Sequence, residues 1–416
     1  MNRISVRISS NTILISLFLV IVIVLPNATT ISRVAKVCFG IISLIYIFVR
    51  RQIFWSYYIN WLILTVLLAM CSVIWAISSE YASDGAQTIF FNAVCTFSFI
   101  QLLYYNDNWK GIVYRCCAVF PFIRFLALVP EYGVSVLGGL KNIGQDTSYN
   151  ALGSFGGLGA AICVLLILRS KKGNQIWKIF LFLNIFVCGI TMSRKAILYL
   201  VIPLLIYYFL SGRNSFIKIR RIVAIIFAIA LFYVAVMNVP VLYTYVGSGL
   251  ESVMKFFNNT GSDSSAVGRS IRIQYGLGWF SQHPLLGYGA RNFNYMFAPL
   301  WKSSDMVVAD NNYIDVLVSF GIIGLIIYYY VHAKTVVISM HNIKRLNNEK
   351  IMMLGILITL LICDYGVSSY IYLHSQTYLA LVIYSICEDD GIWGYKNKKI
   401  SFRRMETYDR LCEKDN

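Results

Sequence analysis

The sequence predicts an all-α polytopic membrane protein of about twelve transmembrane helices, with one large external loop between the ninth and tenth. Composition is the first reason. Hydrophobic residues make up 58% of the 416 and charged residues 13%, with a mean hydropathy of +0.66, whereas soluble domains carry about 25% charged residues. The second is length: a spanning helix needs roughly 20 apolar residues to cross a hydrocarbon core about 30 Å thick, and the chain is partitioned into runs of that size. The third is the distribution of positive charge, which separates the connecting loops into two classes.

The apolar runs are 12–26, 31–49, 58–77, 86–104, 111–129, 149–168, 176–192, 196–211, 222–238, 312–331, 351–368 and 370–387. The first follows Arg3 and Arg7 as a signal peptide would, but no small-residue cleavage site with a soluble domain follows it, so it reads as a first span. The last two runs are nearly contiguous and read as a tight hairpin. Lysine and arginine resist translocation, so short loops rich in them stay cytoplasmic. With the N-terminus inside, the loops holding Arg50 and Arg51, Arg169 to Lys172, Arg213 to Arg221 and Lys334 to Lys350 are cytoplasmic. So is a basic tail over 388–416. That arrangement puts 24 of the 36 Lys and Arg residues inside and 10 outside, with Arg115 and Arg124 within a span. Both termini are then cytoplasmic.

The net charge of +17 thus reflects topology and attraction to an anionic inner leaflet. The basic residues are scattered over separate loops, not gathered in an aromatic-interleaved patch, so nucleic acid is not an expected partner. Nine of the ten cysteines fall in the runs and Cys412 in the tail; none lies in an external loop, and no spacing suits a metal. No repeat or separate soluble domain is visible, and residues 1–416 form one membrane domain.

The remaining polar segment, 239–311, is the large external loop. Asn258 to Ser265 is turn-rich. A helix is expected over about 266–281, with Ser264 or Ser265 as N-cap and with Arg269 and Arg272 three apart on one face. Pro284 ends it, and Gly287 and Gly289 permit a tight turn in His283-Pro284-Leu285-Leu286-Gly287-Tyr288-Gly289. A potassium-filter reading of Gly287-Tyr288-Gly289 fails for want of the preceding threonine and valine and of a pore helix.

In order along the chain stand Ser193-Arg194-Lys195-Ala196, Gly268-Arg269, Trp279-Phe280, the His283 to Gly289 stretch, Phe293, Asp310-Asn311-Asn312-Tyr313-Ile314 and Gly321-Ile322-Ile323-Gly324. This series, over about 190–325, resembles the O-antigen ligase and polymerase superfamily of bacterial envelope glycan assembly. Ligases of that superfamily typically carry His-Asn where this chain has Asp310-Asn311, and the aspartate resembles the capsule and O-antigen (Wzy-type) polymerases more. The resemblance implies a GT-C-like membrane glycosyltransferase in the bacterial inner membrane, acting outside it without metal or other cofactor. Its substrates would be polyprenyl-pyrophosphate-linked glycans, with a chain-length regulator as a possible protein partner.

Such a transfer requires a stabilised pyrophosphate leaving group and a base for the acceptor hydroxyl. Guanidinium groups bind phosphate bidentately and stay charged. Arg194 and Arg269 are therefore the expected leaving-group residues, with Arg272, Arg124, Lys195 and Arg291 as further substrate-binding candidates. An arginine inside a span, as Arg124 is, is costly enough to be a functional candidate. Arg194 and Lys195 can equally be an interfacial snorkelling pair, and Arg269 and Arg272 a solvated helix face. Asp310 is the expected base or else the N-cap of the tenth span, with His283 and His374 as alternatives. Gly321 and Gly324 read as small residues for close helix approach. Three functions follow: a repeat-unit polymerase, a ligase of the same superfamily, and, in another class, a lipid-linked oligosaccharide flippase. Charge gathered at the external face favours an enzyme over a flippase.

Overall fold

The structure, a computed structural model, describes residues 9–25, 30–133, 149–169, 175–211, 264–301 and 308–387, with isolated positions between them (135, 140, 220, 234, 236–239, 243, 247 and 251). Most of the expected ninth run (222–238) and the whole basic tail lie outside the described residues. The described secondary structure is helical: α1 (Ser10–Leu19, extended by a π-helical turn, Val20–Val24), α2 (Thr30–Arg50), α3 (Tyr57–Ser72), α4 (Ser79–Tyr104), α5 (Trp109–Tyr132), α6 (Tyr149–Arg169), α7 (Gln175–Thr191), α8 (Arg194–Leu210), α9 (Ser264–Gln282), α10 (Asn292–Trp301), α11 (Asn312–His341), α12 (Asn348–Cys363) and α13 (Leu373–Cys387). Among the described residues, α2, α4, α5, α6 and α11 are long and apolar enough to cross a membrane. Shorter apolar helices cover Ser10–Val24, Tyr57–Ser72 and Gln175–Thr191. This is a polytopic membrane protein.

The helix boundaries have local causes. Ser9 accepts a hydrogen bond from the Thr12 amide, and Asn347 from that of Lys350 at 2.9 Å, each satisfying an orphan donor of the helix it precedes. The last helix, α13, is buried along almost its whole length, so other helices surround it. α2 is the opposite case: Ile41, Ile45, Phe48 and Val49 are exposed, an apolar surface that only lipid can cover. Glycines on α6 bring its backbone against α8: a Cβ on Gly157 would lie 2.2 Å from the Ala196 carbonyl oxygen, the close approach small residues allow in membranes. The buried Asn184 amide of α7 donates to the Ala118 carbonyl of α5 at 2.7 Å, tying a third helix to this group.

Three expectations change. The tight hairpin between the last two runs is instead a connection of two 3-10 turns, Asp364–Gly366 and the buried Ser369–Ile371. The 239–311 segment contains, among the described residues, two helices, α9 and the unexpected α10, and α9 begins at Ser264, two residues before the expected start. Gly321 is more than a small contact residue. With φ +64° it breaks α11 in the middle.

Candidate active site

The break at Gly321 explains the His283 to Gly289 stretch. An interrupted helix leaves amides and carbonyls without intrahelical partners, and buried ones must be satisfied elsewhere. Here the Tyr288 and Gly289 amides donate to the Val318 and Ser319 carbonyls, both at 2.8 Å, and the Ile322 amide donates to the Pro284 carbonyl at 2.8 Å. The loop is thereby spliced into the helix. Gly287 (φ +63°) and Gly289 (φ +92°) supply the left-handed backbone this path needs. On its other side the loop meets the α3–α4 connection: the Ser78 amide donates to Asn292 Oδ1 at 2.8 Å, and Trp75 Nε1 donates to the Leu286 carbonyl at 3.1 Å.

That anchored loop fixes the flanking helices. α9 packs on α11 so closely that a Cβ on Gly276 would lie 2.3 Å from Ile314 Cγ2. An aromatic cluster of Trp279, Phe293 and Phe297, with ring centroids 5.4 Å (Trp279–Phe293) and 5.6 Å (Phe293–Phe297) apart, joins α9 to α10. The result sets Arg272 against Asp310 in an ion pair and hydrogen bond. Arg272 is thus paired, which replaces the solvated-face reading. Asp310 is not the cap of α11: Asn311 is, its Oδ1 accepting from the Ile314 amide at 3.2 Å. Asp310 itself sits at φ +51°, a conformation L-residues adopt at a cost and Asp tolerates better than most.

Arg194 and Lys195 reach the same region from α8. The α7–α8 elbow turns through Met192 at φ +51°, and Ser193 Oγ hydrogen-bonds Asn150 Oδ1 at 2.9 Å. Lys195 is partly buried against the 364–366 turn, its Cε 3.3 Å from where a Cβ on Gly366 would be. Asp310, Arg269 and Asp364 are among its charged neighbours. Arg194, beside it, is exposed. Two basic residues in a first turn add to the positive end of the helix dipole, an unfavourable arrangement that an anion relieves. Arg269 Nε and Arg272 Nε are buried with no hydrogen-bond partner among the described residues.

The structure therefore brings together Lys195, Arg269, Arg272 and Asp310. Arg291 approaches from the loop: it pairs with Asp84, and its amide donates to Tyr370 Oη at 3.3 Å. Two candidates lie apart from this group. Arg124 and His374 meet at Phe155, with the guanidinium 5.4 Å and the imidazole 5.5 Å from that ring. His283 belongs to the turn: its carbonyl accepts from the Gly287 amide at 3.1 Å, and its exposed ring stands edge-on to Tyr288 at 4.5 Å.

Beneath the cationic group lies a buried polar network. Asp364 accepts from Ser369 Oγ at 2.6 Å, Tyr329 Oη at 2.8 Å and Asn312 Nδ2 at 3.4 Å. Asp315 accepts from Tyr370 Oη at 3.4 Å. It locks the 364–371 connection to the start of α11. Asp315, Tyr370 and Asp84 were not among the residues singled out by sequence, and Asn312 was named only as part of the Asp310 to Ile314 motif. An acid inside an apolar run was the available signal for Asp315; nothing local distinguishes Asp84. Among the described residues no cluster of His, Cys, Asp and Glu could hold a metal ion.

No curated protein matches the chain. Residues 179–329, which hold the α7–α8 elbow, α9, α10 and the first half of α11, match the family model described as O-Antigen ligase, a similarity that supports the O-antigen ligase and polymerase superfamily without dividing ligase from polymerase.

Proposed function

We propose that this protein is a metal-independent GT-C-type glycosyltransferase of the bacterial cytoplasmic membrane that polymerises lipid-linked oligosaccharide repeat units. The observation that carries this reading is the meeting of one carboxylate, Asp310, with cations from two separate helices: Lys195 of α8, and Arg269 and Arg272 of α9. An acceptor sugar hydroxyl attacks the anomeric carbon of the donor glycan, and its proton passes to Asp310. The bond from that carbon to the pyrophosphate oxygen breaks, leaving polyprenyl pyrophosphate. Arg269, with Arg194 and Lys195, stabilises the charge growing on that leaving group, where preorganised cations act most strongly. Arg272 orients the carboxylate. Arg291 and His283 belong to the loop that encloses the glycan.

The pairing of helix ends supports the topology on which this depends. Lys110, Arg169 and Glu349 come from three loops assigned to the cytoplasm, and Glu349 bridges both cations at 3.1 and 3.5 Å. The pairs Arg291–Asp84 and Arg272–Asp310 join segments assigned to the outside. The active site would face outward and both termini inward. The ligase is the second reading, favoured by the description of the matching family. A deletion strain separates them: loss of a polymerase leaves single repeat units on the acceptor, and loss of a ligase leaves long chains on the carrier.

The test of the base is Asp310→Asn, compared with Arg272→Gln, which removes the same ion pair but keeps the carboxylate. A general base contributes about 10²–10⁴ in rate. Asp310→Asn should abolish polymer at unchanged protein level while Arg272→Gln retains some. Full-length polymer from the asparagine variant would move the base elsewhere.

A further inference from the structure

A second cationic site lies away from the carboxylate. Phe155 of α6 is its floor, ringed by Arg124 at 5.4 Å, His374 at 5.5 Å and Tyr378 at 6.0 Å. Arg124 is 3% exposed and, among the described residues, donates one hydrogen bond, to the Ile23 carbonyl at 3.1 Å, at the end of the π-helical turn. A guanidinium carries five N–H donors, and taking it out of water against a single carbonyl is unfavourable. His374 Nδ1 and Tyr378 Oη are buried with no hydrogen-bond partner among the described residues. The charged neighbours of His374 are Arg124, Lys36 and Lys195, all cations. Arg33, one turn before Lys36 on α2, adds a further positive charge. Among the described residues neither Arg124 nor Lys36 forms an ion pair. One buried guanidinium over the ring, two polar atoms without partners beside it and further cations near His374 describe a site suited to an anion.

The anion must belong to an amphiphile. The site lies between α2, α5, α6 and α13, and α2 exposes Ile31, Val34, Val37 and Ile41 on the run of chain that carries Arg33 and Lys36. A chain lying along that surface would deliver a phosphate headgroup to Lys36 and Arg124. Polymerisation consumes two carrier-linked glycans per round. The acceptor's reacting hydroxyl is on a sugar distant from its own pyrophosphate, so that second pyrophosphate must rest away from the base. Asp310 is a charged neighbour of Lys195, whereas the groups acting on Arg124 and His374 do not include it. Lys195 borders both sites.

We propose that Arg124, Lys36 and His374, over Phe155, bind the pyrophosphate of the acceptor lipid, a second carrier-linked substrate distinct from the donor held at Arg269 and Lys195. This rests on the polymerase reading. A bare phosphate-lipid site would share the chemistry, so the test has an arm for an ordinary phospholipid.

The measurement is native mass spectrometry of the full chain in phosphatidylcholine nanodiscs, titrated with polyprenyl pyrophosphate. The wild type should bind two carriers. Arg124→Gln, which keeps amide donors for the Ile23 carbonyl, should weaken one of them by about tenfold or more, the value of one charge-assisted contact. Lys36→Gln should do the same, and Arg124→Lys should recover part of the loss. Arg269→Ala should weaken the other carrier instead. One carrier per wild-type chain, or two bound equally well by Arg124→Gln, would overturn the proposal. So would displacement of the second carrier by phosphatidylglycerol at comparable concentration, which would make this an ordinary headgroup site. Two bound carriers without polymer would sink the polymerase reading alone; polymer from a chain binding one carrier would sink the second site alone.

Discussion

Replacing Gly321 by alanine should disconnect the His283 to Gly289 loop from α11. Gly321 sits at φ +64°, where a Cβ would be 2.2 Å from the Leu285 carbonyl oxygen, 2.3 Å from its carbon and 2.7 Å from the Leu286 nitrogen. These are backbone atoms and cannot swing aside, so the loop must retreat by about 1 Å to reach an ordinary carbon–oxygen separation. Holding an L-residue in the left-handed region costs roughly 1–2 kcal/mol. The retreat stretches the hydrogen bonds that splice the loop into α11, from Tyr288 and Gly289 to Val318 and Ser319 and from Ile322 to Pro284, all at 2.8 Å. Each is worth about 0.5–1.5 kcal/mol net, and losing two of them with the backbone strain gives a destabilisation of about 2–5 kcal/mol. Since the same loop carries Arg291 and braces α9, polymer output should fall with stability. The assay is thermal unfolding in detergent alongside polymer length in cells. Gly278→Ala is the control, because a Cβ there meets nothing within 4 Å. A Gly321→Ala protein with wild-type melting and wild-type polymer would refute the splice as the element that positions the site.

Gly157→Val should displace the first turn of α8, whose Ala196 carbonyl would meet the new Cβ at 2.2 Å; protein level and polymer should both drop, and wild-type behaviour would remove the close approach as the anchor of Arg194 and Lys195. Arg194→Lys and Arg269→Lys should impair turnover because a point charge lacks the bidentate fork. The alanine variants should be worse, losing on the order of 10²–10³ in rate, measured as polymer formed at matched expression. Glu349→Ala removes the acid that accepts from Tyr114 Oη at 2.9 Å and pairs with Lys110 and Arg169; melting should show a loss of about 1–3 kcal/mol for these contacts.

The apolar runs were legible because transfer of a helix into lipid depends on local composition alone. Thus α2, α6, α7 and α8 lie within two residues of where their runs predict, whereas α4 starts seven residues earlier, at Ser79. The motif residues were legible too, as types in an order. What they touch was not. Arg272 and Asp310 are 38 residues apart, Arg291 and Asp84 are 207 apart, and no local pattern encodes which cation meets which acid. The capping role went to Asn311 instead of Asp310 because cap geometry depends on one residue's register against the helix start. Gly321 and the His283 to Gly289 stretch each read separately as small or turning residues. Only packing made them complementary, because the carbonyls freed by a break in one segment needed amides from another. The separation of Arg124 and His374 from Asp310 was likewise decided by tertiary structure, through the helix order that set Phe155 between them.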